Sequence, residues 1–133
     1  MLFRSFAGVE PQGWEPLRAA LVAWVRGINP AVTFAGLVSI LESEPRYPYQ
    51  DIAGEMLDKA GIACPLSLEE FMHRVLPLWD LSAGTVPRYA ARVFGRKTVL
   101  DLVGELKASG ATWPGRGTLD GVCYHLGAHP AEV

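Results

Sequence analysis

From Gly27 to Leu41 the chain carries no charged side chain, and in the stretch Pro30–Leu41 (PAVTFAGLVSIL) only Thr33 and Ser39 are polar. Asn29 ahead of Pro30 supplies a helix start. An Asx side chain can accept from the free N–H groups of the first turn, and proline in that turn lacks an N–H that would go unpaired anyway. A helix that is apolar nearly all round belongs in the middle of a bundle. The run is well short of the ~20 apolar residues that cross a bilayer. The pattern therefore predicts a core helix at about 30–42, with Gly36 in a packed interior and the other helices arranged around it.

The neighbouring segments repeat the helical period. Leu17, Leu21, Trp24 or Val25, and Ile28 recur at three- and four-residue spacing, predicting a helix from about Glu15 to Gly27 with Pro16 in its first turn. Residues 1–13 read as an extended arm whose Leu2, Phe3 and Phe6 can tuck against the domain. The short link at Gly27–Asn29 predicts that the first two helices form a hairpin. After the proline-bounded loop Pro45–Tyr49, a third helix runs to about Ala60, with Ile52, Met56 and Leu57 inward and Gly61 as its C-terminal cap.

Ser67-Leu-Glu-Glu70 is a capping box, with Leu66 and Phe71 placed as its hydrophobic staple. The helix it opens is ended or kinked at Pro77. Thr85 is the candidate cap of a short helix, about Val86 to Phe94, stopped by Gly95. Another spans about Arg96 to Ala108, with Val99, Leu100, Val103 and Leu106 as its stripe and Gly110 at its end. Thr118 is the candidate cap of a last helix, Leu119 to Leu126, followed by a polar tail at 127–133. No stretch alternates with period two, so strands are not expected. The fold class is all-α: one domain over 1–133, a compact bundle of about six helices around the central apolar one.

Composition sharpens this picture. Half of the 133 residues are hydrophobic and a fifth are charged, which excludes a disordered chain. Such a length buries roughly two thirds of its unfolded surface. Net charge is −2, so nothing global attracts nucleic acid or an anionic membrane. Two cysteines, Cys64 and Cys123, are too few for a disulfide scaffold, and the opening MLFRSFAGVEP does not read as a secretory signal. A cytoplasmic protein is the expectation. The charge is unevenly laid out, however. Residues 42–80 hold eight acids against three bases, and residues 81–117 hold six bases against two acids. Complementary segments of this kind can meet within one chain or across an interface.

The chemistry is sparse. Cys123, His125 and His129 are close in sequence, but residues two apart point to different sides of a helix, and Gly127 and Pro130 keep both histidines off one helix. The other candidate ligands, Cys64 and His73, lie about fifty residues or more away, so neither a metal nor a cofactor is expected. Cys64 with His73 could make a nucleophile and base, but a small buried thiol is the simpler reading. Glu69 and Glu70 are adjacent and suit the helix dipole better than acid–base work. Gly115-Arg-Gly117, with Gly121, lacks both the ending of a P-loop and a preceding strand.

Arg88, Arg92, Arg96 and Lys97 form a basic edge around Gly95 that could contact phosphates. Asp101 and Glu105 follow among the exposed positions of the same helix and would repel a duplex. Lys97 and Asp101 are also spaced for i,i+4 pairing.

Three functions follow from this reading. The leading one is a non-catalytic protein-interaction or regulatory module, such as an adaptor, an immunity-type inhibitor or a regulatory subunit. Its expected partner is itself, as a homodimer, because the apolar side chains exceed what a small bundle needs to bury. The first alternative is a nucleic-acid-binding regulator using the basic edge. The second is a small enzyme with a site involving His73, Cys123 or His125.

Overall fold

The computed structural model describes residues 11–110 and 114–133. Among these the chain forms seven α-helices and no strand: α1 (Pro11–Arg26), α2 (Pro30–Ser43), α3 (Tyr47–Lys59), α4 (Leu68–Val75), α5 (Thr85–Phe94), α6 (Arg96–Ala108) and α7 (Arg116–His125). Short 3₁₀ turns follow at Leu76–Leu78 and Pro130–Glu132. The fold is the all-α bundle that the hydrophobic pattern predicts. No helix among the described residues is long and apolar enough to cross a membrane.

Most helix ends lie where local chemistry puts them. Asn29 Oδ1 accepts from the Ala31 N–H at 2.9 Å, with Pro30 in the first turn. Ser67 Oγ accepts from the Glu70 N–H at 3.2 Å, and Leu66 and Phe71 pack against the core beside it. Removing that hydroxyl by Ser67→Ala is expected to cost about 1 kcal/mol. The loss would be read as a lower urea midpoint at unchanged slope, and an unmoved midpoint would mean the cap contributes nothing. Pro77 ends α4 after Val75 and tightens the chain into a 3₁₀ turn. Gly61, at φ 67°, closes α3 in a Schellman motif, with the Ile62 N–H donating to Leu57 O at 3.0 Å.

Other ends differ from the sequence reading, each for a physical reason. Pro11 opens α1, so the last residues assigned to the extended arm are helical and Pro16 lies inside the helix rather than in its first turn. The rest of the arm lies outside the described residues. Thr85 does not cap α5. Its N–H is taken by Asp51 Oδ1 of α3 at 3.2 Å, while its hydroxyl donates to Asp51 O at 2.8 Å. A carboxylate 34 positions away does what a local side chain was expected to do. α7 starts at Arg116, which places Thr118 within the helix rather than at its cap.

The tail after Gly127 folds back onto the bundle. His129 caps its 3₁₀ turn by accepting from the Ala131 N–H, and Lys107 Nζ reaches both Pro130 O at 2.9 Å and Asp120 Oδ1 at 2.8 Å.

The helix at the heart of the bundle is α3, which packs most extensively against α5 and α2 and also carries α1. Its Ala53 and Leu57 are fully buried. Gly54 admits α5 closely: a Cβ there would overlap the Thr85 hydroxyl and stand 3.0 Å from the Val86 nitrogen. α2 sends Phe34, Leu37, Val38 and Leu41 into the core, but its other side, Ala31, Val32, Ala35, Gly36 and Ser39, is exposed. Gly36 faces open space, not an interior. Small neutral residues on an outward face are indistinguishable by charge from a buried one, and the uncharged run reads as central for that reason. The expected hairpin is also replaced, because α1 rests on α3 instead of lying along α2.

Candidate interaction surface

Because α1 and α2 lean separately on α3, an opening is left between them. Val25 of α1 points into the core and is 3 % exposed, so its neighbour Trp24, a third of a turn away, is turned outward and 58 % exposed. On α2, Val32, Gly36 and Ile40 recur at four-residue spacing and form one ridge facing the opening. Val32 is 64 % exposed. Buried Met56 of α3 and Leu37 of α2 also line the opening. The result is a groove of about 250 Å³ with almost entirely apolar walls.

Thr33 is the polar residue among its lining side chains. It is 8 % exposed, and its hydroxyl has no hydrogen-bond partner among the described residues. The charges nearest in sequence are already engaged. Arg26 donates to Lys59 O at 2.7 Å, and Glu42 holds Arg74 through two bonds at 2.7 and 3.1 Å.

The basic edge named from sequence is brought together only in part. Arg92 pairs with Asp58 and lies over the Tyr89 ring. Arg96 Nε donates to Leu126 O at 2.7 Å, and Lys97 bridges to Asp101 at 2.7 Å as its spacing predicts. Arg88 and the His125 ring both lie against Gly84. The Asp58–Arg92 pair and the Asp51 cap of α5 both join the acidic segment to the basic one inside a single chain. Part of the complementarity that could serve an interface is used in folding.

The candidate chemical groups have structural surroundings. Cys123 is fully buried, and burial pushes its thiol pKa up. Cys64 is half-buried, donates to Leu66 O at 3.5 Å and is likewise raised by burial. A raised thiol pKa leaves less thiolate at neutral pH, the opposite of what activates a nucleophile. His73 Nδ1–H donates to Glu69 O at 3.0 Å within α4.

His125, which the sequence places in the last helix, ends α7 half-buried. Its Nε2–H donates to Leu81 O, and its ring meets Trp79 and Tyr124 edge-on at 6.1 and 5.2 Å. His129 lies beyond Gly127 at φ 70°, so the two histidines share no helix. Among the described residues no three His, Cys, Asp or Glu side chains group to hold a metal ion. Gly117 lies in the first turn of α7.

No family model matches the chain, and no curated protein or solved structure does so. The surface must be read on its own chemistry. What sequence reasoning missed is the outward turn of Trp24. The signal was present as the choice between Trp24 and Val25 for one stripe position, since only one of two consecutive helical residues can face the core.

Proposed function

We propose that the protein is a non-catalytic interaction module that self-associates, as a two-fold dimer, through the groove between α1 and α2. The observation that supports this reading is the apolar outward face, with Trp24 and Val32 exposed beside a groove floored by core residues. Large exposed aromatics beside a recess are what binding hot spots are made of. The reading also places the protein in the cytoplasm, a reducing compartment consistent with two cysteines that are both free thiols.

Light scattering over a micromolar-to-millimolar dilution series tests the proposal. Mass should rise from the 14.4 kDa monomer toward twice that value. Gly36→Asp should stay monomeric while melting close to wild type, because the new carboxylate stands in open space. A wild-type chain that is monomeric throughout the series would sink the reading.

A further inference from the structure

We infer that the two copies pair by exchanging one side chain: Trp24 of each enters the other's groove and donates its indole N–H to the Thr33 hydroxyl there. This rests on the self-association proposed above and names the contact that makes it specific.

The groove wall carries a hydroxyl that lacks a partner among the described residues, on a side chain more than nine-tenths buried. Buried polar groups are ordinarily paired, so such a hydroxyl is a place where a binding partner gains. Threonine in a helix has two accessible χ1 rotamers, so the hydroxyl can turn toward an occupant. On the rim of the same groove stands Trp24, more than half exposed. An indole that becomes buried needs an acceptor for its N–H. One patch thus holds both a projecting ring with a donor to satisfy and a recess with an acceptor to satisfy. An isologous interface requires this, because every contact from one copy to the other is repeated in reverse.

Charge and shape point the same way. No charged residue lies between Gly27 and Leu41. At the ends of that run, Glu42 is paired with Arg74, and Arg26 is turned to the backbone carbonyl of Lys59. Two copies therefore meet across the α2 ridge without charge facing charge there. Gly36, with no Cβ and open space outside it, lets the second helix approach closely. The face of two helices a little over 20 Å long is smaller than the roughly 800 Å² per partner of a standard stable interface. Association is accordingly expected in the micromolar range.

Sedimentation equilibrium of wild type, Trp24→Phe, Thr33→Val and the double variant tests the inference. Trp24→Phe keeps a ring but loses the N–H, and Thr33→Val keeps the shape but loses the hydroxyl. Each should weaken dimerisation about twenty-five-fold, because the two-fold axis repeats the contact and every homodimer loses two neutral hydrogen bonds worth about fivefold each. The double variant should be no weaker than either single variant, since both remove the same pair of bonds. Thr33→Val should also melt at or above wild type at concentrations where the chain is monomeric, which separates lost association from lost folding. If wild type dimerises but both single variants dimerise equally well, self-association stands and the Trp24–Thr33 contact is overturned. If wild type never dimerises, the reading and the inference fall together.

Discussion

Gln50→Leu is expected to cost about 3 kcal/mol of stability, a large part of the ~5–15 kcal/mol that a domain of this kind has. Gln50 is fully buried at the start of α3, yet all its polar atoms are used. Its amide nitrogen donates to Glu44 O at 2.9 Å and to Leu78 O at 2.7 Å, and its carbonyl accepts from the Asp80 N–H at 2.8 Å. One side chain thereby joins the end of α2, the start of α3 and the exit from the 3₁₀ turn after α4. Leucine fits the volume but leaves two carbonyls and one N–H without that partner. Each such group costs roughly 1–3 kcal/mol when it stays buried, offset in part by the apolar area leucine adds.

Gln50→Glu should be worse at neutral pH, because a carboxylate would face two carbonyl oxygens. Burial would raise the pKa of that carboxyl in the folded state. Its penalty should therefore be small in acid and grow as pH rises past the ordinary glutamate value. Urea denaturation of the three proteins at pH 4 and pH 7 checks both statements. A Gln50→Leu midpoint close to wild type would show that water or relaxed backbone replaces the network.

Nothing in the sequence singles out Gln50. Glutamine is ordinarily a surface residue, and its partners lie as far as 30 positions away, so only the assembled bundle shows why it is inside. The same limit explains Thr85. Its place before a helical segment makes it a plausible cap, but the acceptor that matters is Asp51, brought there by the packing of α3 on α5. By contrast, Asn29-Pro30, Ser67-Leu-Glu-Glu70, Gly61 and Gly95 act through groups within a few residues of themselves, and those boundaries are legible without a fold.

The candidate surface was legible only as an excess. The uncharged run around α2 and the surplus of apolar residues both register in composition. Which face of α2 is covered does not, because α1 could lie along it or, as it does, rest on α3. Burial in a core and exposure for a partner ask for the same residue types, and sequence separates them only where a helical neighbour forces the choice. Val25 and Trp24 are such a pair, and Val25 is the one that went inside.

Gly54→Ala should lower stability by about 2 kcal/mol even though alanine is the better helix former. On an exposed helix the exchange would gain up to ~1 kcal/mol, because glycine has more backbone freedom to lose. At this position α3 and α5 approach too closely for that gain to appear. The added methyl would overlap Thr85 Oγ1 and stand 3.0 Å from the Val86 nitrogen and 3.1 Å from the Thr85 carbonyl carbon. Thr85 has little room to give way, since its hydroxyl is bound to Asp51 O and its N–H to Asp51 Oδ1. The backbone atoms behind it can move only if the two helices separate, and forced insertion of this kind costs roughly 1–3 kcal/mol beyond any propensity gain.

A double-mutant cycle with Thr85→Ala locates the strain. Removing the Thr85 hydroxyl relieves the worst overlap but not the two backbone contacts, so the cost of Gly54→Ala should shrink by about half in that background. Full recovery would assign the clash to the side chain alone. No recovery would show that the α3–α5 distance itself is set at Gly54, with the backbones in contact and nothing left to yield.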